Sequence, residues 1–329
     1  MSLNVLLENL LVADERLFEC EDRSTWLPFW RAKQIALAAH GPFVAAAAAA
    51  VRADRLAWAF FCGYQGAIQT TFPEQTPQGV VSAFCVNESG RKITDIETEV
   101  IDSNGALTLC GKKGWTLDGP EELQLFVLAR NVAGPTKGPG SLACVRVPLQ
   151  RPGVALARRQ HQGPVPELAH AEVTFDGAEM PSSCLLPGDG YADYAKPFRL
   201  REDIFVTGCT LAYLLGEGHQ ASWPTTWAQQ CIAAIAGLHT CSTLDPHRSE
   251  THVLTAGVLS GAGEVIHESE FLWGRSASDK LARWHRDLPL LSLGRDARRQ
   301  RVIKSWRAIG WTVPEHYGLG DHTSGSLVV

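Results

Sequence analysis

The chain has 329 residues, of which 45% are apolar and 20% charged, with a formal net charge of −5. That length exceeds one small core and points to two or three domains of roughly 100 to 150 residues. The composition excludes a disordered chain, and the mildly negative charge argues against a nucleic-acid-binding protein. No apolar run reaches the roughly 20 residues of a membrane span; the nearest, Phe43 to Val51, is mostly alanine and leads into Arg52, Asp54 and Arg55.

The chain opens on Met1-Ser2-Leu3-Asn4-Val5 without a basic region and meets an acidic residue at Glu8. Neither a secretory nor a transit segment is read there, and a cytoplasmic location is expected. The first segment, to about residue 78, is helical in texture. Leu6, Leu7, Leu10 and Leu11 sit at helical spacing, and Trp30 to Gln69 is dense in alanine, leucine and aromatics. Pro28, Gly41-Pro42 and Gly63 punctuate it, and helices are expected at 30–39, 43–53 (a buried one) and 55–70.

Over 79–196 the texture changes to short aliphatic and β-branched runs separated by turn residues. Glu97 to Ile101, then Asp102-Ser103-Asn104-Gly105, then Ala106 to Cys110 predicts a hairpin, because Asn-Gly accepts the positive φ angles of a tight turn. Further strands are expected at Leu123–Ala129, Ser141–Val147, Val154–Ala157 and Ala171–Phe175, making an antiparallel β domain.

From 197 to 311 the helical period returns. Leu200, Ile204, Phe205, Gly208, Leu211, Ala212 and Leu215 form one stripe, Trp227, Cys231, Ile235 and Leu238 a second, and Leu254, Val258, Gly261 and Val265 a third. Asp287 to Arg307 is the fourth candidate of a four-helix bundle. The remainder, 312–329, is Gly- and Ser-rich and is expected to be a flexible tail.

Motif chemistry is sparse. Nine cysteines, odd in number and without a C-x-x-C pair, read as reduced packing residues. The eleven histidines show no zinc spacing, and neither a GxGxxG nor a P-loop motif occurs.

Four segments in order carry a resemblance: Leu56-Ala57-Trp58-Ala59-Phe60-Phe61-Cys62-Gly63-Tyr64-Gln65; Phe84-Cys85-Val86-Asn87-Glu88-Ser89-Gly90; Gly111-Lys112-Lys113-Gly114-Trp115; and Val173-Thr174-Phe175-Asp176 with Pro181 and Leu185-Leu186-Pro187-Gly188. Together they resemble the acyl-CoA dehydrogenase family over most of residues 55–190. The resemblance implies an α+β fold with an N-terminal helical domain, a central antiparallel β domain and a C-terminal four-helix bundle. It also implies FAD, an acyl thioester substrate oxidised at the α,β positions, and a homodimer or homotetramer, or a heteromeric assembly.

It further implies flavin contacts at Cys85, Val86, Asn87, Trp115 and Leu117, although Asn87 stands where the family has Ser or Thr and Leu117 where it has Thr, with Thr116 one position early. Trp115 reads equally well as a core residue of the β domain. The family's late-bundle glutamate has no counterpart between Leu272 and Trp311, which leaves Glu202, in Leu200-Arg201-Glu202-Asp203-Ile204, as the candidate base. The same carboxylates also fit the solvated first turn of a helix. The family's R-x-x-F-G and Q-x-x-G-G segments are absent; the basic run Arg295, Arg298, Arg299, Arg301, Lys304 and Arg307 is an alternative source of phosphate donors, or simply a solvated face. A non-catalytic or partner subunit of the same fold is therefore the competing expectation. Arg283-Trp284-His285-Arg286-Asp287 fits either a charged approach to the last helix or a solvated helix end.

Overall fold

The computed structural model describes residues 2–11, 17–103, 105–120, 122–159, 163–275 and 278–313. Four helices come first: α1 Ser2–Leu10, α2 Arg23–Ala36, α3 Pro42–Ala50 and α4 Leu56–Thr71. Asp22 starts α2 by accepting the Thr25 N–H at 2.9 Å. The helix then runs through Pro28, contrary to the expected start at 30, because that cap and the burial of Trp26, Leu27 and Trp30 outweigh one missing N–H. Every residue from Phe43 to Ala50 of α3 is buried, as the alanine run predicts.

Seven strands follow: β1 Ser82–Cys85, β2 Glu99–Ser103, β3 Ala106–Leu117, β4 Gln124–Asn131, β5 Leu142–Pro148, β6 Val154–Arg159 and β7 His170–Pro181. They form one sheet in the order β1-β4-β2-β3-β7-β6, with β5 also on β4. The expected hairpin is β2–β3, turning at Gly105; Asn104 lies outside the described residues. The sheet is not wholly antiparallel as expected, because β4 runs parallel to both β1 and β2. Long connections, which no local turn signal announces, make those pairings possible.

Helices resume with α5 Lys196–Gln220, α6 Thr225–Ser242, α7 Ser249–Ser269, α8 Ser278–Asp287 and α9 Arg295–Ala308. The expected stripes of α5 and α6 are buried. On α7 Val265 of the expected stripe is buried and Val258 and Gly261 are half-buried, but Leu254 points outward, and Thr251, Thr255 and Ala262 complete the buried face. The expected fourth helix, 287–307, begins later, as α9, because Leu288–Ser292, which contains Pro289, is a 3-10 turn, and α8 ahead of it is a further helix. The bundle thus has five helices among the described residues. Nearly all of the expected tail, 314–329, lies outside them.

The first helices are joined to the bundle where α4 crosses α5. A Cβ on Gly63 would sit 2.7 Å from the Val206 Cα, so only glycine permits this approach. That contact sets Tyr64 of α4 beside the first turns of α5.

Candidate active site

The site begins with a bulge. On β3, Lys113 pairs with Val173 and Thr116 with Ala171, so one extra residue is inserted between them. The bulge turns Trp115 out of the sheet. Its indole is 45% exposed while Lys113, Gly114 and Thr116 are buried, and its ring meets His170 of β7 edge-on at 4.6 Å. The loop after β1 lies against this bulge: the Gly114 N–H donates to the Asn87 carbonyl at 3.0 Å. A side chain at position 114 would collide with Ser89, whose Oγ would be 2.4 Å from its Cβ.

Beneath the loop, Glu88 accepts the Glu97 and Thr98 N–H groups at 2.8 and 2.9 Å and the Lys113 ammonium at 2.8 Å. Burial works against the ionised carboxyl, but these hydrogen bonds outweigh it and hold Glu88 at about 2. Burial still draws Lys113 below the usual lysine range despite its partner. Both residues lie inside segments that carry the resemblance, which implies no role for either; the signal in the sequence is a glutamate and a lysine in two segments that resemble one family. We expect Glu88→Gln to cost about 2 kcal/mol in chemical denaturation, and Lys113→Met added to it to recover most of the loss, since the buried cation is then gone. The native value lies below the ordinary 4.5. Glu88's contribution is therefore fully present above about 4.5 and is lost as pH falls toward 2.

The other candidate residues divide between two faces. Asn87 is exposed and Val86 half-buried, both in the loop that lies against the Trp115 bulge. Cys85 is fully buried, its thiol donates to Thr116 Oγ1 at 3.4 Å, and burial pushes it up to about 11. Leu117 lies in the core at 8% exposure. Neither Cys85, Leu117 nor the Thr116 hydroxyl turns toward the exposed face.

Glu202 stands on α5, which meets β1 through Tyr64 and Phe198. The Phe84 N–H of β1 donates to the Tyr64 hydroxyl at 2.9 Å. Tyr64 stacks on Phe60 and meets Phe198 of α5 edge-on at 5.9 Å, and Phe198 meets Phe84 at 5.1 Å. Burial chiefly raises the Tyr64 phenol, and the Glu202 charge adds to that rise, so the two groups are close. Glu202 is half-buried, and no hydrogen bond or ion pair reaches its side chain among the described residues. Burial pushes its carboxyl up to about 7; Asp203 adds to the rise, while Arg199, Arg298 and Arg301 oppose it. A carboxylate poised near neutral pH and otherwise uncommitted is suited to proton transfer.

A cleft of about 610 Å3 lined by Arg151, Gly153, Asp176 and Glu179 lies elsewhere, at the Ala106–Pro181 end of the β3–β7 ribbon. At about 3.3 Å per residue it is roughly 30 Å along the strand from Trp115.

No family model matches the sequence, and no curated protein does. Solved structures do. FMN-bound TdsC from Paenibacillus sp. A11-2 aligns with a TM-score of 0.70 at 15% identity, covering 96% of this chain and 99% of that one. An FAD-dependent dehydrogenase aligns at 0.66 and 12%, covering 92% and 96%. Glutaryl-CoA dehydrogenase from Mycobacterium smegmatis aligns at 0.61 and 13%, covering 94% of each. The chain has the acyl-CoA dehydrogenase fold.

Two charged segments take definite places in that fold. Arg298 and Arg301 of the basic helix α9 both bind Asp203, so they are engaged and not freely solvated. Arg283 to Asp287 is not a solvated helix end either. Trp284 is 1% exposed and Asp287 fully buried, with Asp287 accepting the Val165 N–H at 2.8 Å and the Arg286 guanidinium at 2.7 Å. Glu167 extends the network to Arg286 and to Arg55 at the start of α4.

Proposed function

We propose that the chain is an FAD-binding, acyl-CoA dehydrogenase-like oxidoreductase that oxidises an acyl thioester at its α,β positions. One observation carries the reading: a chain of contacts through Asn87, β1 and Tyr64 ties an outward indole to an uncommitted, half-buried carboxylate.

The exposed face fits a flavin. Trp115 supplies a flat π surface, Val86 an apolar contact, and Asn87 side-chain donors and an acceptor. Arg159, bonded to the Ser89 hydroxyl and to Glu172, and Lys112, also on Glu172, are the cations beside it that a phosphate would share with that carboxylate. When bound, the flavin supplies the acceptor for the hydride that leaves the substrate's β-carbon. Glu202 takes the α-proton. Phe198, one helical turn earlier on α5, is buried, and the partial burial of Glu202 keeps its proton affinity near neutrality.

In this reading 1–78, 79–196 and 197–311 are three domains, and the protein works as a homodimer or homotetramer, or with a different partner chain. Support for assembly is the outer surface of the bundle: α6 carries no Asp, Glu, Lys or Arg, and Leu254 and Phe271 are 48% and 79% exposed.

A non-catalytic subunit of the same fold is favoured by one observation, the inward hydroxyl of Thr116, which leaves the face short of a donor. Visible absorption separates the two readings. We expect the purified protein to be yellow or to take up added FAD, and Trp115→Ala to weaken flavin retention about tenfold. A colourless protein that fails to retain added FAD would move the conclusion to the partner subunit.

A further inference from the structure

Glu202 and Asp203 are consecutive carboxylates in opposite circumstances. Asp203 holds two guanidinium groups of α9: Arg298 Nη1 donates to Oδ1 at 2.9 Å, and Arg301 Nη2 donates to Oδ2. Arg298 also donates its second terminal nitrogen to the Leu291 carbonyl at 3.1 Å. The two arginines are three positions apart, hence on one face of α9, and each receives its own oxygen of Asp203. Glu202, one residue earlier, has neither.

We propose that Asp203 is a positioning residue for Glu202: it draws Arg298 and Arg301 onto its own carboxylate and so keeps both from pairing with the neighbouring base. This rests on the reading of Glu202 as the base. Arginine remains charged at every relevant pH and forms strong, two-pronged pairs with carboxylates. An arginine in contact with a carboxyl lowers its proton affinity by about 10- to 1000-fold, which would abolish a base poised near neutrality. The remaining groups facing Glu202 are Arg199 on α5 itself, which is exposed, and the Tyr64 phenol on α4. On α7, His252 lies in the field of Arg301 and Lys196. None of these takes over the two arginines; Asp203 does.

The test is a carboxyl-carbon NMR titration of glutamate-labelled protein, with the Glu202→Gln spectrum assigning the signal. Asp203→Asn should lower the proton affinity of Glu202 at least tenfold, and Asp203→Glu should leave it within threefold of the parent. In an Arg298→Gln/Arg301→Gln background, the same Asp203→Asn change should have less than a third of that effect. Equal effects in both backgrounds would mean that only the charge of Asp203 matters and would overturn the proposal.

A second measurement needs no variant at Asp203. In the parent protein the guanidinium signals of Arg298 and Arg301 should hold still as Glu202 ionises; signals that follow the Glu202 midpoint would show the arginines changing partner and would also overturn it. If Glu202→Gln still lets acyl thioesters bleach the flavin, the base reading fails while these titrations keep their meaning.

Discussion

Replacing Glu202 by glutamine should slow bleaching of the bound flavin by an acyl thioester by about a thousandfold, within the range that general bases contribute, while flavin absorption is retained. Glutamine keeps the size of the side chain and removes only its ability to accept a proton, so binding changes little and the chemical step carries the loss. The pH profile gives the sign. As the proposed base Glu202 works in its ionised form, and burial pushes its carboxyl up to about 7, so the parent rate should climb through neutrality and level off above it. The Gln variant should lose that rise. A parent profile flat between about pH 5 and 9, or bleaching unchanged in the variant, would remove Glu202 from the reaction.

Removing Asp287 should have the largest effect on stability. Asp287→Ala leaves the buried Val165 N–H without an acceptor and takes from Arg286 one of its two carboxylate partners. Val165 adds to the cost: it is a β-branched residue at φ +51°, a backbone state held in place by its surroundings. A loss of about 3–5 kcal/mol in chemical denaturation is expected. Asp287→Asn, which keeps an oxygen for the Val165 N–H, should lose about half as much. The network joins α4, the segment before β7 and α8, so the alanine variant should also separate the unfolding of the helical and β portions when fluorescence and circular dichroism are compared.

Periodicity made the element order legible. The stripe from Leu200 to Leu215, the alanine run of α3 and the Gly105 turn each declare themselves within about sixteen residues, because each is settled by neighbours along the chain. What escaped depends on distant partners. β1 is only four residues long and pairs in parallel with β4 some forty residues later. The single inserted residue that turns Trp115 outward and Thr116 inward is a property of register with β7, not of the Gly-Lys-Lys-Gly-Trp string itself. At the start of α7 Leu254 suggests a core face that the helix turns to solvent, while Thr251 and Thr255 are buried.

The same division holds at the site. The candidates Glu202, Asn87, Val86 and Trp115 come from a resemblance, whereas the engagement of Arg298 and Arg301 by Asp203 spans more than ninety residues. The Glu88–Lys113 pair spans twenty-five. Neither can be seen from local spacing.

The Glu88 anchor also bears on how a ligand is received. The segment bearing Asn87 is fastened from below by two backbone amides and an ammonium before anything docks above it. An incoming planar molecule need not spend its affinity on ordering a floppy loop, because that conformational entropy was already lost when the chain folded.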